Sequence, residues 1–453
     1  MTVIEDVIGQ GDAVSGGRST IDATRPLLPS RDPFLIPPAD LGRYAPGTIL
    51  RSRAVRIGLF GLVPQRVSAW QLLYRSTDMH GGPEVAITTV LLPDGADPDV
   101  ERPLLAFESA IDATAEQCAP SYALRMGAVA PGSITQLEWV LVAGALQRGW
   151  AVSIADHEGP NGNFGAPREP GYRSLDGIRA ALRFAPLGLH ARTPVAVWGY
   201  SGGGMAGSWL VEMAPVYAPE IDIVGAALGA PVGDPGHVFL GLNGGRFAGF
   251  PPIMIGALRR LYPALDELLE AELNTEGHLL LELAGRSAPI LALSRLTGHD
   301  VGDYLGRPLA EVLAEPHMCA MFDDLRLGGH IPNCPILMIQ PVNDQIISVR
   351  AIDEQVARYR RGGAHVTYLR DRLSEHLTLL PLATPLSLDW LADRIAGRPL
   401  PEPSTRTVWS VVTDSSSWRG LLEMTVTATR VVLGRPLRGE SGPQSRPART
   451  LAA

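Results

Sequence analysis

The chain has 453 residues, 45% of them hydrophobic, and a formal net charge of -8. That length accommodates one large domain with an insertion, or two to three domains, around a sizeable core. The acidic balance argues against a nucleic-acid partner, and no apolar run reaches the roughly 18 residues a membrane-spanning helix needs.

Residues 1–31 are polar and Gly-rich and are expected to be poorly ordered. The opening "MTVIEDVIGQGDAVSGG" has no basic region followed by an apolar one. It does not read as a secretory signal peptide, which leaves the cytoplasm as the default location. Residues 32–234 and 331–398 are expected to form the two parts of one core. Prolines are too dense for a long helix over 32–75. Strand-like runs then recur at 84–93, 103–107, 150–155, 194–199, 223–230, 335–340 and 365–369. Several are short, apolar and β-branched, as in strands buried on both faces.

Helical segments separate them. "SITQLEWVLVAGALQRG" ends at Gly149, a C-cap. "SLDGIRAALRFAPLG" is expected to start from Ser174 as N-cap. "RAIDEQVARYRRGG" closes in a basic turn that suits the helix dipole. The alternation predicts an α/β fold, a mostly parallel sheet flanked by helices. Residues 235–330 interrupt it with helical periodicity alone and are expected to form an inserted helical cap. Residues 399–453 read as a tail: a linker-like stretch, a mildly amphipathic segment over 418–434, and a disordered end. Of the three cysteines, Cys118, Cys319 and Cys334, none forms a C-x-x-C pair. A zinc site is therefore not expected, buried free thiols are the simplest reading, and one disulfide stays open.

The strongest local signal is "AVWGYSGGGMAGSWL" at 196–210. Ser201 lies in a G-x-S-x-G pattern, between a predicted strand and a predicted helix of small residues. That setting is a nucleophile elbow, in which a strained serine needs small neighbours. Gly199, Gly202 and Gly203 flank Ser201 together with Tyr200, and the helix start offers free main-chain N–H groups to a negative oxygen. A serine hydroxyl needs a base, and the chain order of this chemistry is serine, then acid, then histidine. Asp344, four residues past a predicted strand, fits the acid. His376, past the strand at 365–369 and before a helix, fits the base. Asp371 and His365 are rivals in poorer positions. No metal or organic cofactor is needed for such a set.

At these residues the sequence resembles the secretory lipase family, which includes fungal lipase A-type enzymes and many actinobacterial lipases. The resemblance spans roughly 32–398 and is carried by "DPFLIPP", "PGTILRSR", "WQLLYRSTD", "AITTVLLP", "CAPSYAL", "DHEGP", "SLDGIRAAL", "GYSGGGMAG", "GAPVGDP", "PVNDQIISV" and "EHLTLLP". It implies an α/β-hydrolase core with a helical cap inserted after the sixth strand, and hydrolysis of triacylglycerol or related esters through an acyl-serine. It also implies an oxyanion hole from the main-chain N–H groups of Gly202 and Asp112. The family is typically exported, and the implied partners are a lipid ester and, transiently, a lipid interface. Within the cap, Phe250, Ile253 and Met254 are expected to meet the acyl chain. The alternatives are acyl transfer through the same acyl-enzyme and a catalytically silent lipid-binding protein.

Overall fold

The computed structural model describes residues 25–413 and 415–439. Its strands are β1 (Ile49–Ala54), a short hairpin of β2 (Gly58–Leu59) and β3 (Val63–Pro64), β4 (Val67–Thr77), β5 (Pro83–Pro93), β6 (Leu104–Glu108), β7 (Ala151–Ala155), β8 (Val195–Tyr200), β9 (Ile223–Gly229), β10 (Ile336–Pro341), β11 (Val366–Asp371) and β12 (Ser404–Val408). Apart from the hairpin they form one ten-stranded sheet in the order β1-β4-β5-β7-β6-β8-β9-β10-β11-β12. Pairing is antiparallel from β1 to β7 and parallel from β7 to β12. This is the mostly parallel sheet expected.

The period-two alternation of the central strands explains the layers. Ala106, Val197, Leu228 and Met338 face the helices Glu169–Arg183, Gly202–Tyr217 and Val349–Arg361. Their neighbours Leu105, Trp198, Ala227 and Ile339 face the opposite side, against the helices Ile134–Gln147 and His376–Ile395. With both faces covered, these strands read as unbroken apolar runs.

Between β9 and β10 the described chain is helical, from Pro235–Leu242 to Pro316–Leu325. Four of these helices begin on a proline, Pro235, Pro263, Pro289 and Pro316. At the first helical position the missing N–H costs nothing, so a high proline content coexists with helix. Ile253, Leu258, Leu269 and Met321 continue the apolar cluster of the first sheet face. The segment leaves the sheet after β9 and returns to it at β10.

Four expectations change. The strands β1 and β4 were not anticipated, because Arg51, Arg53 and Arg75 break their apolar pattern. The helix expected from Ser174 begins at Glu169, with Pro170 in its first turn, and Ser174 lies inside it, donating to buried Glu108. The stretch after 398 is not a tail: β12 extends the sheet, and the helix Ser415–Val432 packs on Ile134–Gln147 and His376–Ile395. Pro29–Arg31 forms an ordered turn, with Ser30 bonded to Glu116, so poor order does not reach residue 31. Residues 1–24 and 440–453 lie outside the described residues. All three cysteines are free; Cys118 and Cys334 are buried and Cys319 is exposed.

Candidate active site

The connections after β6 and β8 leave in opposite directions, towards β7 and towards β9. Such a reversal opens a crevice at the carboxyl ends of the strands. Asp112 follows β6 and Ser201 follows β8, so the order of strands alone places both at that crevice.

Ser201 adopts φ 55° and ψ -122°, a conformation that costs a non-glycine residue about 1–3 kcal/mol. The turn survives because its neighbours have no Cβ. One on Gly199 would stand 2.1 Å from the Gly203 carbonyl oxygen, and one on Gly203 would stand 2.0 Å from that of Glu108. The bend lifts the hydroxyl out of the sheet. Ser201 Oγ lies 2.9 Å from His376 Nε2, and His376 Nδ1 lies 2.8 Å from Asp344 Oδ2. Asp344 accepts there, so Nδ1 carries the proton and Nε2 is free to receive the serine's.

Each partner is held. Asp344 Oδ1 accepts the main-chain N–H groups of Ile346 and Ile347, and Oδ2 also accepts from the Gln340 amide. His376 is the first residue of its helix, which Glu375 caps through the N–H groups of Leu377 and Thr378. The Tyr200 hydroxyl donates to the His376 carbonyl at 2.6 Å, and the two rings lie 5.4 Å apart. The elbow therefore fixes the histidine as well as the serine. Asp371 stands elsewhere: it is buried and accepts the N–H groups of Leu373, Ser374 and Val411, which ties β11 to the chain beyond β12. His365 bonds to the Pro401 carbonyl.

The oxyanion side departs from expectation. The Asp112 main-chain N–H does not face Ser201; it donates to Glu158 Oε1 at 3.0 Å, and the Ala113 N–H donates to Oε2 at 3.4 Å. What Asp112 presents to the site is its carboxyl. A Cβ on Gly202 would stand 1.7 Å from Asp112 Oδ1, an oxygen buried without a hydrogen-bond partner. Burial pushes the Asp112 carboxyl up to about 7. The loop carrying it, Ser109–Ala113, is held from the other end by Glu138, which accepts from Ser109 Oγ and from the Ala110 N–H. Burial raises Glu138 to about 8.

Asp112, Ser201 and Gly202 line a cavity of about 40 Å³ with Phe164, Phe239, Phe250 and Met254. Phe239 and Met254 also line a second cavity of about 40 Å³, walled otherwise by cap residues such as Leu268, Leu305 and Met318. Ile253 does not border either cavity; it is fully buried in the core. On a helix, adjacent residues point about 100° apart, and here that turns Ile253 into the core while Met254 reaches the cavity. Among the described residues, no cluster of His, Cys, Asp or Glu is arranged to hold a metal ion, and no helix is long and apolar enough to cross a membrane.

Residues 124–402, more than half of the chain, match the family described as Secretory lipase. Lipase A of Arthroderma benhamiae is 35% identical, over 82% of this chain and 81% of its own. The chain belongs to the secretory lipase family. A Mycobacterium tuberculosis protein named Probable inactive lipase MT1628 is 48% identical over 91% of this chain and 93% of its own. Among solved structures, that of lipase A from Candida antarctica superposes with a TM-score of 0.81 at 26% identity, covering 93% of this chain and all of that one. The fold is accordingly that of the α/β-hydrolase lipases.

Three supporting residues escaped the sequence reading. Glu158 sits in "DHEGP", a motif noticed only as part of the resemblance. Gln340 looked like the end of a strand, and Tyr200 was expected as part of the elbow but not as a support of His376. No periodicity marks any of them.

Proposed function

We propose that the protein hydrolyses carboxylic esters of lipids, triacylglycerol or a related acyl ester, through an acyl-Ser201 intermediate. The observation that carries this is the Ser201–His376–Asp344 hydrogen-bond chain at 2.9 and 2.8 Å. Nε2 takes the serine proton as Oγ attacks the ester carbonyl. It returns that proton to the leaving alcohol, and Asp344 stabilises the cation formed between the two steps. The acyl-serine is cleared by water entering along the same path, with His376 again as base.

The oxyanion is met by the Gly202 N–H at the helix start and by the Asp112 carboxyl in its protonated form, an O–H donor beside it. The acyl chain runs along Phe250, Met254 and Phe239 towards the second apolar cavity, so the cap sets acyl preference. Each buried methylene is worth about 0.8 kcal/mol, or roughly fourfold in kcat/KM at most.

A silent lipid-binding protein would not need the hydroxyl, imidazole and carboxylate in register, and here all three are in hydrogen-bond contact. Ser201→Ala tests the reading. Hydrolysis of p-nitrophenyl butyrate should fall by at least about 10⁴-fold with Tm preserved. A fluorophosphonate probe should label Ser201 in the wild type and nothing in the variant. Turnover near the wild-type value would refute the assignment.

A further inference from the structure

We propose that Glu158 is a positioning residue for the oxyanion site: its ionised carboxylate holds the main chain of Asp112 and Ala113 and keeps the proton on the Asp112 carboxyl. The proposal rests on the reading of Asp112 given above.

Glu158 stands three residues beyond β7, buried, with its two oxygens on two successive N–H donors. An ionised carboxylate meets both donors without needing an acceptor of its own. A protonated Glu158 would accept more weakly at its hydroxyl oxygen and would need a further acceptor for its O–H. Asp112 has no comparable partners. Its Oδ1 is unbonded, and the residue is held at φ 50° by the bonds its main chain makes to Glu158. Two carboxyls sharing one buried site do not both ionise. The proton therefore belongs to the one whose oxygens lack N–H donors, and that is Asp112.

The surroundings act on both carboxyls. Burial pushes the Glu158 carboxyl well above the usual carboxylate range and Asp112 adds to that; the N–H groups of Ala113 and Asp112, and fully buried Arg173 paired with Glu84 and Glu169, act the other way and favour its ionised form. His376 favours ionisation of Asp112 only when it is itself protonated. Glu138 and Cys118 both lie within the influence of Asp112, and burial raises each of them, so they stay neutral and add no charge. Asp156 accepts twice from Ser121 and is raised to about 7, while His157 is lowered to about 4 by burial and is neutral. The outer flank of Glu158 borders a separate cavity of about 270 Å³, shared with Ile111, Ala113 and Thr114.

The test is Glu158→Gln, which keeps the shape and removes the charge. The first readout is infrared: the protonated-carboxyl band that vanishes in Asp112→Asn is titrated in both backgrounds. It should ionise at least one pH unit lower in Glu158→Gln than in the wild type. The second is kinetic: kcat on a short ester should fall about 10- to 1000-fold at pH 8, with KM changed less than about threefold. In the Asp112→Asn background, where the donor is always neutral, the same change should cost less than about threefold. Glu158→Asp keeps the charge on a shorter arm. It should lose turnover but titrate like the wild type, and it serves if the glutamine variant does not fold. An unshifted Asp112 band in Glu158→Gln, or a band lowered by Glu158→Asp, would overturn the proposal. A shifted band in a protein whose wild type hydrolyses no ester would instead refute the function and leave the role of Glu158 standing.

Discussion

Gly202→Ala separates the chemistry of the oxyanion site from the stability of the elbow. The added methyl would lie 1.7 Å from Asp112 Oδ1 and 2.7 Å from its Cγ. Ordinary contact needs about 3.5 Å, so the carboxyl must retreat by almost 2 Å. It can do so, because Oδ1 has no partner to hold it. The cost to folding should therefore stay within the range of modest overpacking, about 1–3 kcal/mol. The cost to catalysis should be larger, because the retreat withdraws one oxyanion donor, about 100- to 1000-fold in kcat. Gly203→Ala and Gly199→Ala make the control. Their methyls meet main-chain oxygens at 2.0 and 2.1 Å, which no side-chain rotation relieves, so both should lose folded protein before they lose chemistry. The assay is kcat for p-nitrophenyl butyrate, with Tm and fluorophosphonate labelling on the same samples. A Gly202→Ala enzyme within about threefold of wild-type kcat would refute the reasoning. So would one that loses as much Tm as Gly203→Ala.

Asp344→Asn keeps an oxygen for the Ile346 and Ile347 N–H groups, so turnover should fall by several orders of magnitude with little change in Tm. Asp371→Ala should leave the three buried N–H groups of Leu373, Ser374 and Val411 unmet and lower Tm, with kcat of the folded fraction nearly intact; the reverse pattern, read from kcat and Tm together, would exchange their roles. Met254→Asp should depress kcat/KM for octanoyl esters at least about tenfold more than for acetyl esters, since Met254 lines both apolar cavities; equal losses on the two would remove it from the acyl path. Thermal stability should decline between pH 6.5 and 8.5. Glu108 and Glu138, near 8, and Asp156 and Glu212, near 7, are raised by burial, so the folded state holds protons the unfolded chain has released. Stability from these groups is fully present below their unfolded values and is lost as pH rises through the folded ones. His157, lowered to about 4, acts in the opposite sense but only below its unfolded value near 6.5. A Tm by differential scanning fluorimetry that is flat or rising over that window would contradict the burial argument.

The sequence was most legible where one physical rule acts alone. The strands β8 and β10 are continuous apolar runs because helices cover both faces, and the glycines beside Ser201 are needed by its φ of 55°. The order of serine, acid and base followed from the carboxyl ends of successive strands. Legibility failed where tertiary contact overrides a local signal. β12, with the pattern "STRTV", is an edge strand whose polar residues give no apolar run, and its pairing with β11 is invisible before both exist. Ser174 looks like an N-cap, yet its hydroxyl is used by Glu108 in the interior. Ile253 and Met254 differ by one residue, and only the helix rotation decides which of them meets the cavity. The Asp112 N–H could not be assigned without Glu158, which is 46 residues away.

The last described residues have a consequence for how the chain is made. Leu437 accepts from the N–H of Asp94, Gln65 donates to the Val431 carbonyl, and Val431 and Leu437 are fully buried. Residues 431–437 are thus clasped to the antiparallel region around β4 and β5. A nascent polypeptide leaves the ribosome from its N-terminus, so β4, β5 and the reverse face of the sheet lack this partner until residue 437 has emerged. Until residue 404 emerges, β11 is an open edge, and an unpaired edge invites pairing with another chain. Emergence of residues 404–437, rather than of any earlier strand, is the event that closes this side of the molecule.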